Sequence, residues 1–146
     1  MTFYTLGTSD RSLSEFIELL RYYGIELVVD IRRFPTSKFA HFKRENLEKF
    51  LKKENIDYFY LGEELGGYRS GGYENYVKTE EFKKGLQKLI DLAHHKRTAI
   101  FCAERFAFRC HRRFVGFALR ESGYEVIHII EKDKTWIPRE HGDLKG

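Results

Sequence analysis

Apolar and polar positions alternate along the chain in two rhythms, one of period two and one near 3.6, and together they predict strands interleaved with helices. Residues 2–6 alternate β-formers and end at Gly7, which reads as a first strand. Ser12 and Glu15 are spaced as a capping box, and Phe16, Ile17, Leu19, Leu20 and Tyr23 then recur at helical spacing up to Gly24. Residues 25–31 form a short β-branched run that predicts a buried strand, closed by Pro35. Helices are expected over 46–54, 80–95 and 109–122, and strands over 58–61, 98–102 and 124–130. Residues 62–76, rich in Gly and Tyr, read as a long loop.

The order β-α-β-α-β-α-β-α-β predicts a single three-layer α/β/α domain with a mainly parallel five-stranded sheet and right-handed crossovers. It spans residues 1–130, and residues 131–146 form a charged tail with Trp136 and Pro138. In such sheets ligands bind outside the carboxyl ends of the strands. Those ends would carry Thr8, Ser9, Asp10 and Arg11 after the first strand, and Asp30, Arg32 and Arg33 after the second. Glu63, Glu64, Gly66, Gly67 and Arg69 follow the third, and Cys102, Glu104 and Arg105 the fourth.

At 146 residues, with 42% hydrophobic and 16% aromatic content, the chain can bury a core without disulfides or a structural metal. A net charge of +4 favours anionic partners only weakly. No apolar run approaches the roughly 20 residues needed to cross a bilayer, so no membrane association is expected. The N-terminus does not resemble a signal peptide, and two cysteines do not make a disulfide scaffold, which suits a reducing cytoplasm.

Both cysteines lie within IFCAERFAFRCHRRF, residues 100–114. Cys110 falls near the expected start of a helix, beside Arg109, Arg112 and Arg113, and these features favour its thiolate. Cys102 ends an apolar strand and reads as an inert core thiol, the usual state of a free cysteine. His111 follows Cys110 directly, but adjacent helical residues point about 100° apart. A Cys110–His111 dyad is therefore not expected, and His128 is the alternative partner. A phosphatase-type loop needs Cys, five residues, then Arg; counted from Cys102 that position holds Phe108. Cys102, Cys110 and His111 lack a second ligand pair for zinc, and no Gly-rich nucleotide motif follows the first strand, so no cofactor or metal is implied. Asp30, set in an apolar run, needs a partner: Arg32, Arg33 or a backbone amide. The stretch Gly66–Tyr73 could admit a ligand's backbone and stack on it, or be a surface loop.

The segments Tyr4-Thr5-Leu6-Gly7-Thr8-Ser9, Val29-Asp30-Ile31-Arg32, Leu65-Gly66-Gly67 with Arg69, Cys102-Ala103-Glu104, Cys110-His111-Arg112 and Val126-Ile127-His128-Ile129 occur in this order from residue 4 to residue 129. Together they resemble the domain-of-unknown-function family 488. Thr8 and Asp10 stand where many members have His and Asn, and no proline separates the cysteines. The resemblance implies a compact α/β domain with a site near these motifs, and no established activity.

Two readings follow. The first is an enzyme acting on an anionic small molecule, nucleotide-like, or on a nucleic acid. In it Ser9, Arg32, Arg69, Cys102, His111 and Arg112 bind substrate, Asp30 and Glu104 orient donors or move protons, and Cys110 is the nucleophile. The second is a non-catalytic module that holds a phosphate or nucleic acid at the same edge.

Overall fold

In the computed structural model, which describes residues 1–138, the chain folds as an α/β domain around one mainly parallel sheet. The strands are β1 (Thr2–Gly7), β2 (Leu27–Asp30), β3 (Asp57–Tyr60), β4 (Thr98–Cys102), β5 (Glu125–Glu131) and β6 (Lys134–Trp136), in the spatial order β3-β2-β4-β1-β5-β6. The first five are parallel, and β6 returns antiparallel on β5. The sheet thus has six strands where five were expected. The chain turns back at Lys132–Asp133, and the β-formers Thr135 and Trp136 pair with Ile129 and His128. The rest of the expected tail, residues 139–146, lies outside the described residues.

Three long helices begin close to where the pattern places them: α1 (Leu13–Tyr22), α2 (Arg44–Lys53) and, after two single turns α3 (Gly62–Leu65) and α4 (Tyr73–Tyr76), α5 (Glu80–Ala93). The fourth, α6 (Arg112–Glu121), starts three residues later than expected, because a 3-10 turn occupies Ala107–Arg109. At α1 the capping box is complete: the Glu15 amide donates to Ser12 Oγ at 3.0 Å and the Ser12 amide to Glu15 Oε1 at 3.1 Å. Ser12→Ala should therefore cost about 1 kcal/mol. A urea titration should show a lower midpoint at unchanged slope.

Side-chain alternation along the strands builds one apolar cluster on each face of the sheet. On one face Tyr4, Leu6, Val28, Ala99 and Phe101 meet Phe16 and Leu20 of α1 and Leu47 and Leu51 of α2. On the other, Phe3, Val29, Ile100 and Val126 meet Leu89 and Ile90 of α5 and Val115 and Leu119 of α6. Each fully buried Phe or Leu contributes on the order of 1.5–3 kcal/mol of transfer free energy.

This layering opens the site. β2 and β4 are neighbours, but β2 passes its chain to the α1/α2 face and β4 to the α5/α6 face. Their following loops part, and a crevice forms at the carboxyl edge between them. Register keeps that edge level, with Gly7 opposite Cys102 and Asp30 opposite Phe101. Gly7 is required there, because a Cβ would stand 1.8 Å from the Glu104 carbonyl oxygen.

Candidate functional site

The crevice is a cleft of about 770 Å³. One wall is the turn after β2, with Arg33, Phe34 and Thr36, and the other is the segment from Cys102 to His111. The Gly67–Tyr73 stretch closes a third side. Both thiols line this space, with Cys102 2% exposed and Cys110 partly exposed. Their sulfurs are 2.8 Å apart.

Three groups act on the sulfurs. The Arg112 amide, at the start of α6, donates to Cys110 Sγ at 3.4 Å. The Arg112 side chain is fully buried, yet its Nε and Nη1 have no hydrogen-bond partner, and Nη2 reaches only the Arg105 carbonyl at 3.3 Å. A buried cation without an anion is costly, so this guanidinium strongly favours a negative charge beside it. The third group is His111. Its Nε2 lies 3.1 Å from the Ile31 carbonyl oxygen, which can only accept, so Nε2 carries the proton. Nδ1 is then a free acceptor, 3.4 Å from Cys110 Sγ. Burial lowers the His111 pKa to about 4, so the ring is neutral. The Tyr73 ring lies against it at a tilt of 51° with centroids 5.2 Å apart, and Gly67 packs so closely that a Cβ there would meet Nδ1 at 3.1 Å.

The pair therefore shares its protons unequally. Burial opposes ionisation of Cys102, but the hydrogen bond from Cys110 and the charge of Arg112 outweigh it and bring the thiol down to about 7. Cys110 is pushed far above the ordinary thiol range, first by its hydrogen bond to Cys102 and then by burial.

The family profile described as "Domain of unknown function DUF488" matches residues 12–119, most of the domain and all of this site's thiol segment. The chain belongs to the DUF488 family. A search among curated proteins finds no match.

The structure of this DUF488 domain distributes the expected site residues unevenly. Cys102, Glu104, Cys110 and His111 come together at the cleft, with Arg112 buried and its charge acting on both sulfurs. Glu104 is exposed; its backbone carbonyl accepts from Cys102 Sγ at 3.8 Å, and its carboxylate makes no hydrogen bond or ion pair among the described residues. The Cys110–His111 contact, not expected on helical geometry, forms because both residues precede α6. Cys110 is extended, at φ −133° and ψ 152°, and the helix begins only at Arg112. His128, the alternative partner, is instead a core residue: it is 1% exposed, its Nδ1 is 2.6 Å from Thr5 Oγ1, and it packs against Gly116 and Trp136. Burial holds its pKa near 3. Within the pair the thiol drawn down is Cys102, against its burial and chiefly through the hydrogen bond from Cys110, and the one pushed up is Cys110, through its hydrogen bond to Cys102 and through burial.

Asp30 and Arg32 lie at the same edge but are occupied with each other. Asp30 is fully buried and accepts from the Arg32 amide, Nε and Nη2 at 3.0, 2.9 and 2.8 Å, and from the Tyr58 hydroxyl at 2.5 Å. Arg32 Nη1 donates to the Phe42 carbonyl at 2.6 Å. Burial lowers the Arg32 pKa, but Asp30 more than compensates and the net shift is upward. Arg69 is likewise committed, donating to the Gly66 and Glu63 carbonyls and lying over the Tyr76 ring at 4.0 Å, so it ties the 62–76 segment together. Ser9, in left-handed backbone at φ 47°, donates its amide to Ala103 and does not line the cleft.

Arg33, Phe34, Tyr68 and Arg109 also line the DUF488 cleft, and of these only Phe34 carries no reading from sequence. Phe34 and Tyr68 are 62% and 86% exposed, with ring centroids 5.8 Å apart at the cleft. Neither Arg33 nor Arg109 has a carboxylate partner among the described residues. An aromatic residue beside Pro35, in a loop after a predicted strand, is the signal that marks Phe34. Among the described residues no cluster of three potential metal ligands occurs, and no helix is long and apolar enough to cross a membrane.

Proposed function

We propose that the protein is a thiol-dependent enzyme whose substrate carries an anionic group and a planar ring, as a nucleotide-like small molecule or a nucleic acid does. The observation that carries this reading is Arg112, a fully buried guanidinium with two unpartnered nitrogens whose charge acts on two thiols 2.8 Å apart. Its natural counter-charge is a thiolate, the reactive form of cysteine. Cys102 is the nucleophile, Cys110 and His111 hold and move its protons, and Glu104 is the carboxylate free for proton transfer. Arg33 and Arg109 meet the anionic group at the mouth of the cleft, and the open rings of Phe34 and Tyr68 offer a stacking platform. Asp30, Arg32 and Arg69 hold the walls in place. A reducing compartment such as the cytoplasm suits a site that depends on free thiols.

The test is the rate of iodoacetamide alkylation against pH, with and without adenosine monophosphate. The expected profile rises through a midpoint near pH 7, below the roughly 8.5 of an ordinary thiol, and the nucleotide slows it. A midpoint in the ordinary range removes the enzyme reading. Protection without a lowered midpoint favours a non-catalytic anion-binding module, which Arg33 and Arg109 alone could support.

A further inference from the structure

We infer that Cys102 and Cys110 form a working dithiol–disulfide couple, and that the cleft carries out thiol–disulfide exchange on a disulfide whose thiol halves are anionic. This inference rests on the thiol-dependent reading and specifies its reaction.

A single nucleophilic cysteine does not require a second thiol. Here the second sulfur is 2.8 Å from the first, nearer than any other side-chain group given for Cys102. Both sulfurs line the same cleft, so a disulfide that reaches one reaches the other. The chain between them, residues 103–109, contains only a 3-10 turn, and Cys110 itself has extended backbone. Closing the bond therefore needs adjustment in a loop and leaves β4 and α6 intact. The Arg112 charge acts on both sulfurs, so it can stabilise a thiolate on whichever one carries the charge.

The reaction balances without a cofactor. The Cys102 thiolate attacks one sulfur of R–S–S–R, the S–S bond breaks, and the first RS− leaves and takes a proton from solvent. Cys102 now carries a mixed disulfide, Cys102–S–S–R. Once Cys102 is a mixed disulfide it no longer ties down Cys110, whose proton moves along its contact with His111 Nδ1, the acceptor left open because Nε2 is bound to Ile31, as the sulfur attacks. The Cys110 sulfur bonds to Cys102 Sγ, the mixed disulfide breaks, and the second RS− leaves and takes that proton. The substrate gains two electrons and becomes two RSH, while the protein is oxidised to the Cys102–Cys110 disulfide. A dithiol reductant reverses the second half and restores the pair. Arg33 and Arg109 suit the anionic ends of R, and the Phe34–Tyr68 platform suits an R that bears a nucleotide.

The experiment uses the fully reduced full-length chain. It is mixed with oxidised glutathione, an anionic disulfide without a ring, or with coenzyme A disulfide, which carries a nucleotide. Reactions are quenched in acid, alkylated and weighed by mass spectrometry. Wild type is expected to lose both alkylatable thiols and carry no adduct, and Cys110→Ser to accumulate a mixed disulfide on Cys102. A faster reaction with coenzyme A disulfide assigns the ring platform to substrate. Equal rates with the two probes overturn that assignment. An adduct that persists in wild type overturns the resolving role of Cys110. Fast alkylation near pH 7 with no disulfide formed overturns the exchange reaction and leaves the thiol enzyme standing. Slow alkylation with no disulfide overturns both. The wild-type arms need no variant to fold.

Discussion

Replacing Asp30 with Ala should lower the stability of the domain by about 3–5 kcal/mol, the usual cost of removing one member of a buried ion pair. The carboxylate is fully buried and accepts three hydrogen bonds from Arg32 and one from Tyr58. Without it the Arg32 guanidinium, 5% exposed, is left with the Phe42 carbonyl and the face of Phe101 at 5.1 Å. The Tyr58 hydroxyl loses its acceptor as well. The double variant Asp30→Leu/Arg32→Met should recover much of the loss, because it removes both charges and leaves apolar groups of similar volume. Guanidinium denaturation of the three proteins measures this. A loss under about 1 kcal/mol for Asp30→Ala would mean that the pair does not organise the turn after β2.

Arg112→Met should change the protein in opposite directions on the two sides of neutrality. Around pH 6 the thiols are protonated and the guanidinium has no counter-charge, so an apolar side chain there is expected to be neutral or stabilising. Above neutrality the wild-type pair is ionised and Arg112 holds the charge. The folded pair loses its first proton near 7, below the unfolded thiol at roughly 8.5. Its ionisation therefore adds stability that builds as the pH rises from the folded value to the unfolded one and is lost as the pH falls through the folded one, whereas above the unfolded value the proton retained on Cys110 works in the opposite direction. The variant should lack this gain. It should also alkylate on the order of tenfold more slowly at pH 7, because less thiolate is present. Melting curves at pH 6 and pH 8, with alkylation rates at pH 7, check both effects. An unchanged alkylation midpoint would separate Arg112 from the thiol chemistry.

Much of the fold was legible because each element carries its own rhythm. β4 matched its expected span of 98–102, and the Ser12–Glu15 box marked the start of α1. The strand order was not legible, since it depends on which crossover packs on which face, and no single element records that choice. The site was legible as a neighbourhood: the two cysteines, Glu104, His111 and Arg112 converge because they follow one strand. Their division of labour was not. It depends on three residues' difference in the start of α6, which frees His111 to turn toward Cys110. Arg32 and Arg69 read as anion binders for a similar reason. Their partners include backbone carbonyls of Phe42, Glu63 and Gly66, and a carbonyl acceptor leaves no trace in residue type.

The short antiparallel β6 also governs how this molecule can meet its own copies. By pairing with β5 over residues 128–131 it covers backbone donors and acceptors that would otherwise face outward. The opposite border of the sheet is β3, only four residues long, with Asp57 at its head tied to Lys96. Among the described residues the sheet therefore ends on two brief borders, β3 and the three-residue β6, and a foreign strand finds little length to pair with on either. Truncation before Lys134 would exchange the three-residue border for the seven-residue β5, a longer template for strand-to-strand association between copies.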